Sequence, residues 1–425
     1  MKFAKRFIRF GAVAAVCAAL LSFSPRLRAA EIPKVSPESV GMSSAKLKKV
    51  DAIVNRLIAE QKLAGATVAV ARHGKIVHFG VYGLMDVDAK KPMREDAIFR
   101  IYSMSKGITT AAAMILYDEG KFGLDDPVSK YLPEFKGLKV YSKSGNVAPK
   151  REMTVRDLMR HTSGLTYGFF GNHPVDLQYR KAGVSNMNAD LVALTGKLGK
   201  QPLMYEPGTD WIYSLSVDVL GRLVEVWSGQ SFDVFLQDRM FDPLDMKDTG
   251  FAVAKSELDR FAQYYTPDGK GKFEVIDEVS NSDYLAKRKW LSGGGGLAST
   301  TRDYMRFLVM IQNGGKLGNV RILKKKTVKM MIVNQVPDEA MPIAFGGVKR
   351  GGVGFGLGFS VRVANSAWDP KGRVGEYGWG GLASTHYWVS PKDDLIVVTM
   401  EQTAPFSFLL EWGLKGAIYD AIEKK

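Results

Sequence analysis

Cysteine is almost absent: Cys17 is the only one in 425 residues. That excludes an internal disulfide and any cluster of thiolate metal ligands. The stretch before it, Ala14-Ala15-Val16, does not match the leader of a lipid-attachment cysteine. Histidine is scarce too. The five present (His73, His78, His161, His173 and His386) include no His-x-His or His-Glu-x-x-His spacing, which argues against a zinc centre. No Gly-x-Ser-x-Gly elbow is present, which counts against a hydrolase built on a Ser-His-Asp triad. No strand runs into a glycine loop ending in Gly-Lys-Ser or Gly-Lys-Thr, so a nucleotide-phosphate cradle is not indicated. Fixed-period repeats and low-complexity blocks are missing as well.

The one long apolar run lies at the start. Lys2, Lys5, Arg6 and Arg9 precede Ala12 to Leu21, and small residues follow at Ala29 and Ala30. The run is too short to span a bilayer, and the order basic–apolar–small is that of an export signal. Residues 1–30 are therefore expected to be a signal peptide, and the remainder, 31–425, to work in the periplasm or outside the cell with no membrane span of its own. Six basic residues and no acids precede Glu31, so the formal charge of +15 falls by six to +9 for that remainder. Its tightest basic clusters, Lys324-Lys325-Lys326 and Lys287-Arg288-Lys289, are not interleaved with aromatics, so no nucleic-acid partner is expected.

Periodicity organises the rest. Leu47, Val50, Ile53, Val54, Leu57 and Ile58 recur at helical spacing from Ser43 to about Glu60. Ala66 to Ala71 and Ile76 to Tyr82, separated by His73-Gly74-Lys75, read as a hairpin. Phe99 to Tyr102 reads as a short strand running into a helix that Gly120 ends. From Leu124 to about 285 the pattern is mostly helical with long loops: Thr154 caps one helix, and others span about 214–227 and 232–240. After Gly293 to Gly296, helices are expected at about 301–313 and 325–333. Strands follow at 355–363, 373–379, 384–390 and 394–400, then a helix at about 407–423. The expected fold is α/β of the α+β type, an antiparallel sheet flanked by helices. The sheet lobe takes in about 31–123 and 286–425, and a mostly helical lobe, about 124–285, is inserted between. A cleft between lobes is a common place for a small-molecule site.

Three stretches carry chemistry. In Ile101-Tyr102-Ser103-Met104-Ser105-Lys106, residues 103 and 106 share one helix face, so a serine hydroxyl meets an amine able to take its proton. Ser43-Ser44-Ala45-Lys46 has the same spacing, but there Ser43 reads as a helix cap. In Trp211-Ile212-Tyr213-Ser214-Leu215, a tyrosine stands at a loop-to-helix boundary, where a nearby ammonium would make its phenol a usable acid and base. In Glu376-Tyr377-Gly378-Trp379-Gly380-Gly381-Leu382, glycines beside a strand let backbone approach a ligand, and an N–H there can pair with that of Ser103 as an oxyanion hole.

This ordered set, Ser103-x-x-Lys106, Tyr213 and Trp379-Gly380-Gly381, resembles the serine β-lactamase and penicillin-binding-protein superfamily. Within it the chain is most similar to the class C-related branch and the family VIII carboxylesterases. His161-Thr162-Ser163-Gly164-Leu165, Pro243 to Thr249 and Gly293 to Thr300 extend the likeness over nearly all of the chain after the leader. The resemblance implies Ser103 as acylated nucleophile, Lys106 as proton acceptor and Tyr213 as proton shuttle. It implies Leu382 as second oxyanion N–H, and no cofactor or metal. Leu215 stands where β-lactamases and peptidases of this group usually carry Asn, and Trp379 where they usually carry Lys. Both are expected, with Gly380 and Gly381, to contact substrate. The leading expectation is an exported carboxylesterase acting on small or short-chain esters through an acyl-enzyme. A β-lactamase or D-amino-acid peptidase is the alternative, and a non-catalytic binding protein of the same fold is a second.

Overall fold

A computed structural model describes residues 28–286 and 288–423. Most of the expected export segment, Cys17 included, lies outside the described residues. Arg28 to Ala30 pack on the body: the Ala29 amide donates to the Pro243 carbonyl at 2.8 Å, and its carbonyl accepts from Arg306 at 2.8 Å.

The fold is mixed α/β around one antiparallel sheet of eight strands. Across it lie Val353–Phe355, Ser360–Arg362, Tyr377–Gly380, His386–Ser390, Leu395–Glu401, Gly65–Arg72, Lys75–Asp86 and Lys91–Pro92. The two ends of the chain meet at its centre, where Gly65–Arg72 pairs with Leu395–Glu401 and Val68 lies opposite Thr399. Both strands are rich in branched residues, and side chains alternate between two buried faces. Val68 and Val70 pack with Leu47, Val50 and Val54 of the helix Ser44–Ala59 and with Leu410 and Leu414 of the helix Leu409–Asp420. Ala69 and Ala71 face the other way, into the main core with Phe307, Leu308 and Ile311 of the helix Thr301–Gln312. Ser43 caps the first helix as expected, its hydroxyl accepting from the Lys46 amide at 3.3 Å.

Two differences from the sequence reading have clear causes. The strand expected over 355–363 is two short strands, 353–355 and 360–362, turned back on each other. The turn passes through Gly358 at φ +87°, a conformation that an apolar run does not advertise. The segment 250–285, counted with the helical lobe, instead attaches to the sheet side. Its hairpin Tyr264–Pro267/Phe273–Asp277 is tied down by Gln263 N–H to Met85 O (3.0 Å) and Tyr265 N–H to Gln402 O (3.1 Å). Wholly buried Arg100 needs an anion, and Asp277 supplies it at 2.5 Å, drawing this segment in.

The helices Val155–Met159, Leu191–Leu198 and Ser216–Ser228 stand beside the sheet lobe, and Ser216–Ser228 packs along the helix Ser105–Asp118. Thr154 and Asp157 form a reciprocal capping box at the first of them. No helix among the described residues is long and apolar enough to cross a membrane.

Candidate active site

The strand Ile98–Arg100 pairs with Ala298–Thr300, and the chain then turns sharply at Tyr102, whose φ is +39°. A non-glycine residue there costs about 1–3 kcal/mol and persists only where packing dictates it. The turn continues as one 3₁₀ turn, Tyr102–Met104, into the helix Ser105–Asp118. Ser103 therefore sits on the turn and not at the helix cap. Every residue from Ser105 to Leu116 is buried, so the helix is a rod fixed in the core.

Lys106 is wholly buried behind Ser103, with its Nζ 3.2 Å from the Ser103 hydroxyl. The same nitrogen lies 2.9 Å from the Tyr167 hydroxyl and 2.6 Å from the Gly294 carbonyl. Tyr213 meets it differently: the amine lies 4.4 Å from the centre of its ring, and its hydroxyl accepts from the Trp379 indole N–H at 3.2 Å. Two tyrosines thus flank the amine, their rings 5.2 Å apart, and Tyr167 makes the direct hydroxyl contact. Burial, with Tyr213 and Asp218 nearby, holds the Tyr167 phenol well above its usual range, so it stays protonated.

Beneath this cluster lies Asp218, two residues into the helix Ser216–Ser228. It accepts from the Ser292 hydroxyl (2.5 Å), the Trp290 indole (3.2 Å) and the Gly294 amide (3.4 Å). Burial raises its carboxyl, and those donors with nearby Lys106 oppose the rise. Asp218 therefore positions the loop whose Gly294 carbonyl receives Lys106.

The strand Tyr377–Gly380 closes the other side. A Cβ on Gly381 would lie 2.2 Å from the Ile101 carbonyl, so only glycine lets this edge reach the Ser103 turn. Leu382, half exposed, follows at the mouth. Ser103 and Leu382, the expected oxyanion donors, both border the same cavity.

Ser103, Tyr213, Trp379, Gly380, Gly381 and Leu382 line one cavity of about 440 Å³. Its walls carry many aromatic rings, Tyr167, Phe169, Phe170 and Phe345 among them, beside buried charged groups such as Arg362 and Glu376. Leu215 is not among them. It is fully buried in the core at the start of the helix Ser216–Ser228, so the contact expected between Leu215 and substrate is corrected. Its side chain turns inward because an apolar group gains by packing into the helix interface. His161, the histidine beside Tyr213, is wholly buried and held neutral by that burial and by Lys106. It bonds to Ser214 at 3.2 Å and not to Ser103. Tyr167, Asp218 and Phe345 were missed in the sequence. Only Asp218 left a trace there, as an acid flanked in sequence by Val217 and Val219.

Comparison with known proteins agrees with this geometry. The profile of the Beta-lactamase family matches residues 50–415. Esterase EstB of Burkholderia gladioli is 30% identical over 414 residues, covering 91% of this chain and 98% of its own. Acyltransferase mokF of Monascus pilosus is 26% identical, over 80% of this chain and 89% of its own. The structure of EstCE1, described as a hydrolase with promiscuous acyltransferase activity, superposes with a TM-score of 0.77 at 27% identity, over 88% of this chain and 98% of its own. With a profile match across most of its length and an esterase relative alongside nearly all of it, the chain belongs to the Beta-lactamase family and is a serine hydrolase.

Proposed function

We propose that the protein is a carboxylesterase for small or short-chain esters, with Ser103 as its nucleophile. The observation that carries this is the Ser103 hydroxyl 3.2 Å from Lys106 in a cavity rich in aromatic rings, whose lining contains no Asn or Gln. In the first step the Ser103 oxygen attacks the ester carbonyl carbon. Its proton passes to the relay of Lys106, Tyr167 and Tyr213. The carbonyl oxygen, now an anion, faces the N–H groups of Ser103 and Leu382. Collapse breaks the bond to the alcohol, which leaves with the relayed proton. Water then attacks the acyl-Ser103 carbonyl, giving up a proton to the relay, and the acid departs as Ser103 regains its hydrogen. EstB, similar along almost its whole length, is named an esterase, which supports this reading. The basic–apolar–small order of residues 1–30 supports export, and a cell-fractionation blot showing the full-length protein only in the cytoplasm would refute that part.

Ester and lactam place different demands on the cavity. An ester has a good leaving group and needs nucleophile, relay and oxyanion hole. A bicyclic lactam also presents an amide that must find a polar partner, and the cavity lining holds no Asn or Gln to give one. Leaving a polar group unpaired costs a factor of about 10²–10⁵ in selectivity. With one preparation and two absorbance assays, kcat/KM for p-nitrophenyl butyrate is expected to exceed that for a chromogenic cephalosporin by at least about 10²-fold. Equal efficiency would replace the esterase reading with a β-lactamase.

A further inference from the structure

The hairpin Ala344–Phe345/Val348–Lys349 reaches the cavity with Phe345, which packs on Tyr213, ring centres 5.0 Å apart. Phe345 is also a link in a band of rings that runs from the helical lobe to the C-terminal helix. Phe169 meets Phe170 at 4.5 Å, and Phe170 meets Phe345 at 5.4 Å. Phe345 meets Phe406 at 6.5 Å, Phe406 meets Phe408 at 4.8 Å, and Phe408 stacks on Trp412 at 4.9 Å. Both ends of the band face solvent. Phe169, Phe170, Met187 and Trp412 are each at least 40% exposed, and among the described residues no other Phe, Met or Trp is exposed. The first three line the cavity, and Trp412 stacks on Phe408, which also lines it. The largest apolar side chains that this surface shows to water are therefore gathered at one place, the mouth of the reactive cavity.

Exposed lysines accompany the band. Lys349 follows exposed Val348 on the hairpin, and Lys289 stands between Arg288 and Trp290, which line the cavity. Lys371 lies along the C-terminal helix, against Gly416. At the other end Tyr141 packs on His173, three residues after Phe170, at 5.0 Å, and exposed Lys139 and Lys143 flank Tyr141. Residues 135–151 carry five cations and no acid. The acids of the segment that bears Phe169 and Met187 are engaged in its own structure. Asp176 accepts from the Thr166 hydroxyl and the His173 amide, and Asp190 accepts from the Ala193 amide. A contiguous apolar surface marks a place of contact. Interfaces between proteins are depleted in lysine, whereas lysines around an apolar face suit anionic headgroups. A second copy of this chain would set one group of lysines against another. We propose that the band lies in the surface of an anionic lipid membrane, with the cavity opening onto the lipid. The proposal goes beyond the esterase reading, since it concerns where the cavity finds its esters and not how they are cleaved.

The test reads binding and its location together. Full-length protein is floated with vesicles of equal parts phosphatidylcholine and phosphatidylglycerol, and with vesicles of phosphatidylcholine alone. Binding to the mixed vesicles is expected to be at least about 10-fold tighter. Hydrogen exchange is then followed with and without the mixed vesicles, and peptides covering 167–173 and 405–412 should exchange more slowly with lipid. Phe169→Ser combined with Phe170→Ser should weaken binding by about 10-fold or more. No binding to the mixed vesicles, equal binding to both kinds, undiminished binding by the double variant, or slowed exchange only outside those two segments would each overturn the proposal. A lipid-free dimer in which the same peptides are already slow would give the band to a second copy and overturn it too. The exchange map of the wild type decides even if the double variant does not fold. A protein that binds the mixed vesicles and cleaves no ester would uphold the band and sink the esterase reading. An active esterase that ignores both vesicles would do the reverse.

Discussion

At the scale of single residues, the reactive cluster depends on one buried amine with three oxygen neighbours, Ser103, Tyr167 and Gly294. Removing the amine leaves the serine without its proton acceptor. Lys106→Ala is expected to lower kcat by about 10²–10⁴-fold on p-nitrophenyl butyrate, and Tyr167→Phe by a factor within the same range. Because both act in one relay, the double variant should be little worse than the poorer single one. Losses that multiply would show that they act separately, and full activity in Lys106→Ala would remove it from the mechanism. Ser103 and Lys106 were legible in the sequence because their relation is local, three positions along one turn. Tyr167 was not, since a long loop carries it to the amine and nothing in its neighbours marks where that loop lands. Leu215 misled for the opposite reason. Its position matched a pattern, but a residue beginning a helix can turn either way, and packing turned it inward.

At the scale of elements, the helix Ser105–Asp118 and the central strands were legible because their apolar periods are long and unbroken. Boundaries slipped where a glycine turn interrupts an apolar run, as at Gly358. The central strand Leu395–Glu401 also carries a testable charge. Glu401 at its end is wholly buried, and burial pushes its carboxyl from an ordinary 4.5 up to about 8, against a bond from Thr403. Between those values the folded protein holds a proton that the unfolded chain has lost. Stability should therefore fall as pH rises from about 4.5 to about 8 and then level off. Glu401→Gln keeps the shape and cannot ionise. Its melting temperature should match the wild type near the bottom of that window and exceed it above the top. An identical difference at both ends would mean that Glu401 is not buried as a neutral acid.

At the scale of the whole molecule, a sheet made from both ends of the chain leaves the intervening helices no choice but to stand beside it. Ser103, Tyr213 and Trp379 reach the cavity between from three distant segments. The antiparallel sheet flanked by helices was readable from the order of helical and strand patterns. The attachment of residues 250–285 and the reach of the 344–349 hairpin were not, because each follows from a long-range contact, Arg100 with Asp277 or Phe345 with Tyr213. The central claim is that chemistry passes through a covalent bond to Ser103. Its most direct test is peptide mapping by mass spectrometry after treatment with a fluorophosphonate. One adduct is expected, on the peptide containing Ser103, with loss of esterase activity in proportion to labelling. An adduct on Ser43 or any other serine that tracks the loss, or full labelling of Ser103 with activity intact, would contradict the account.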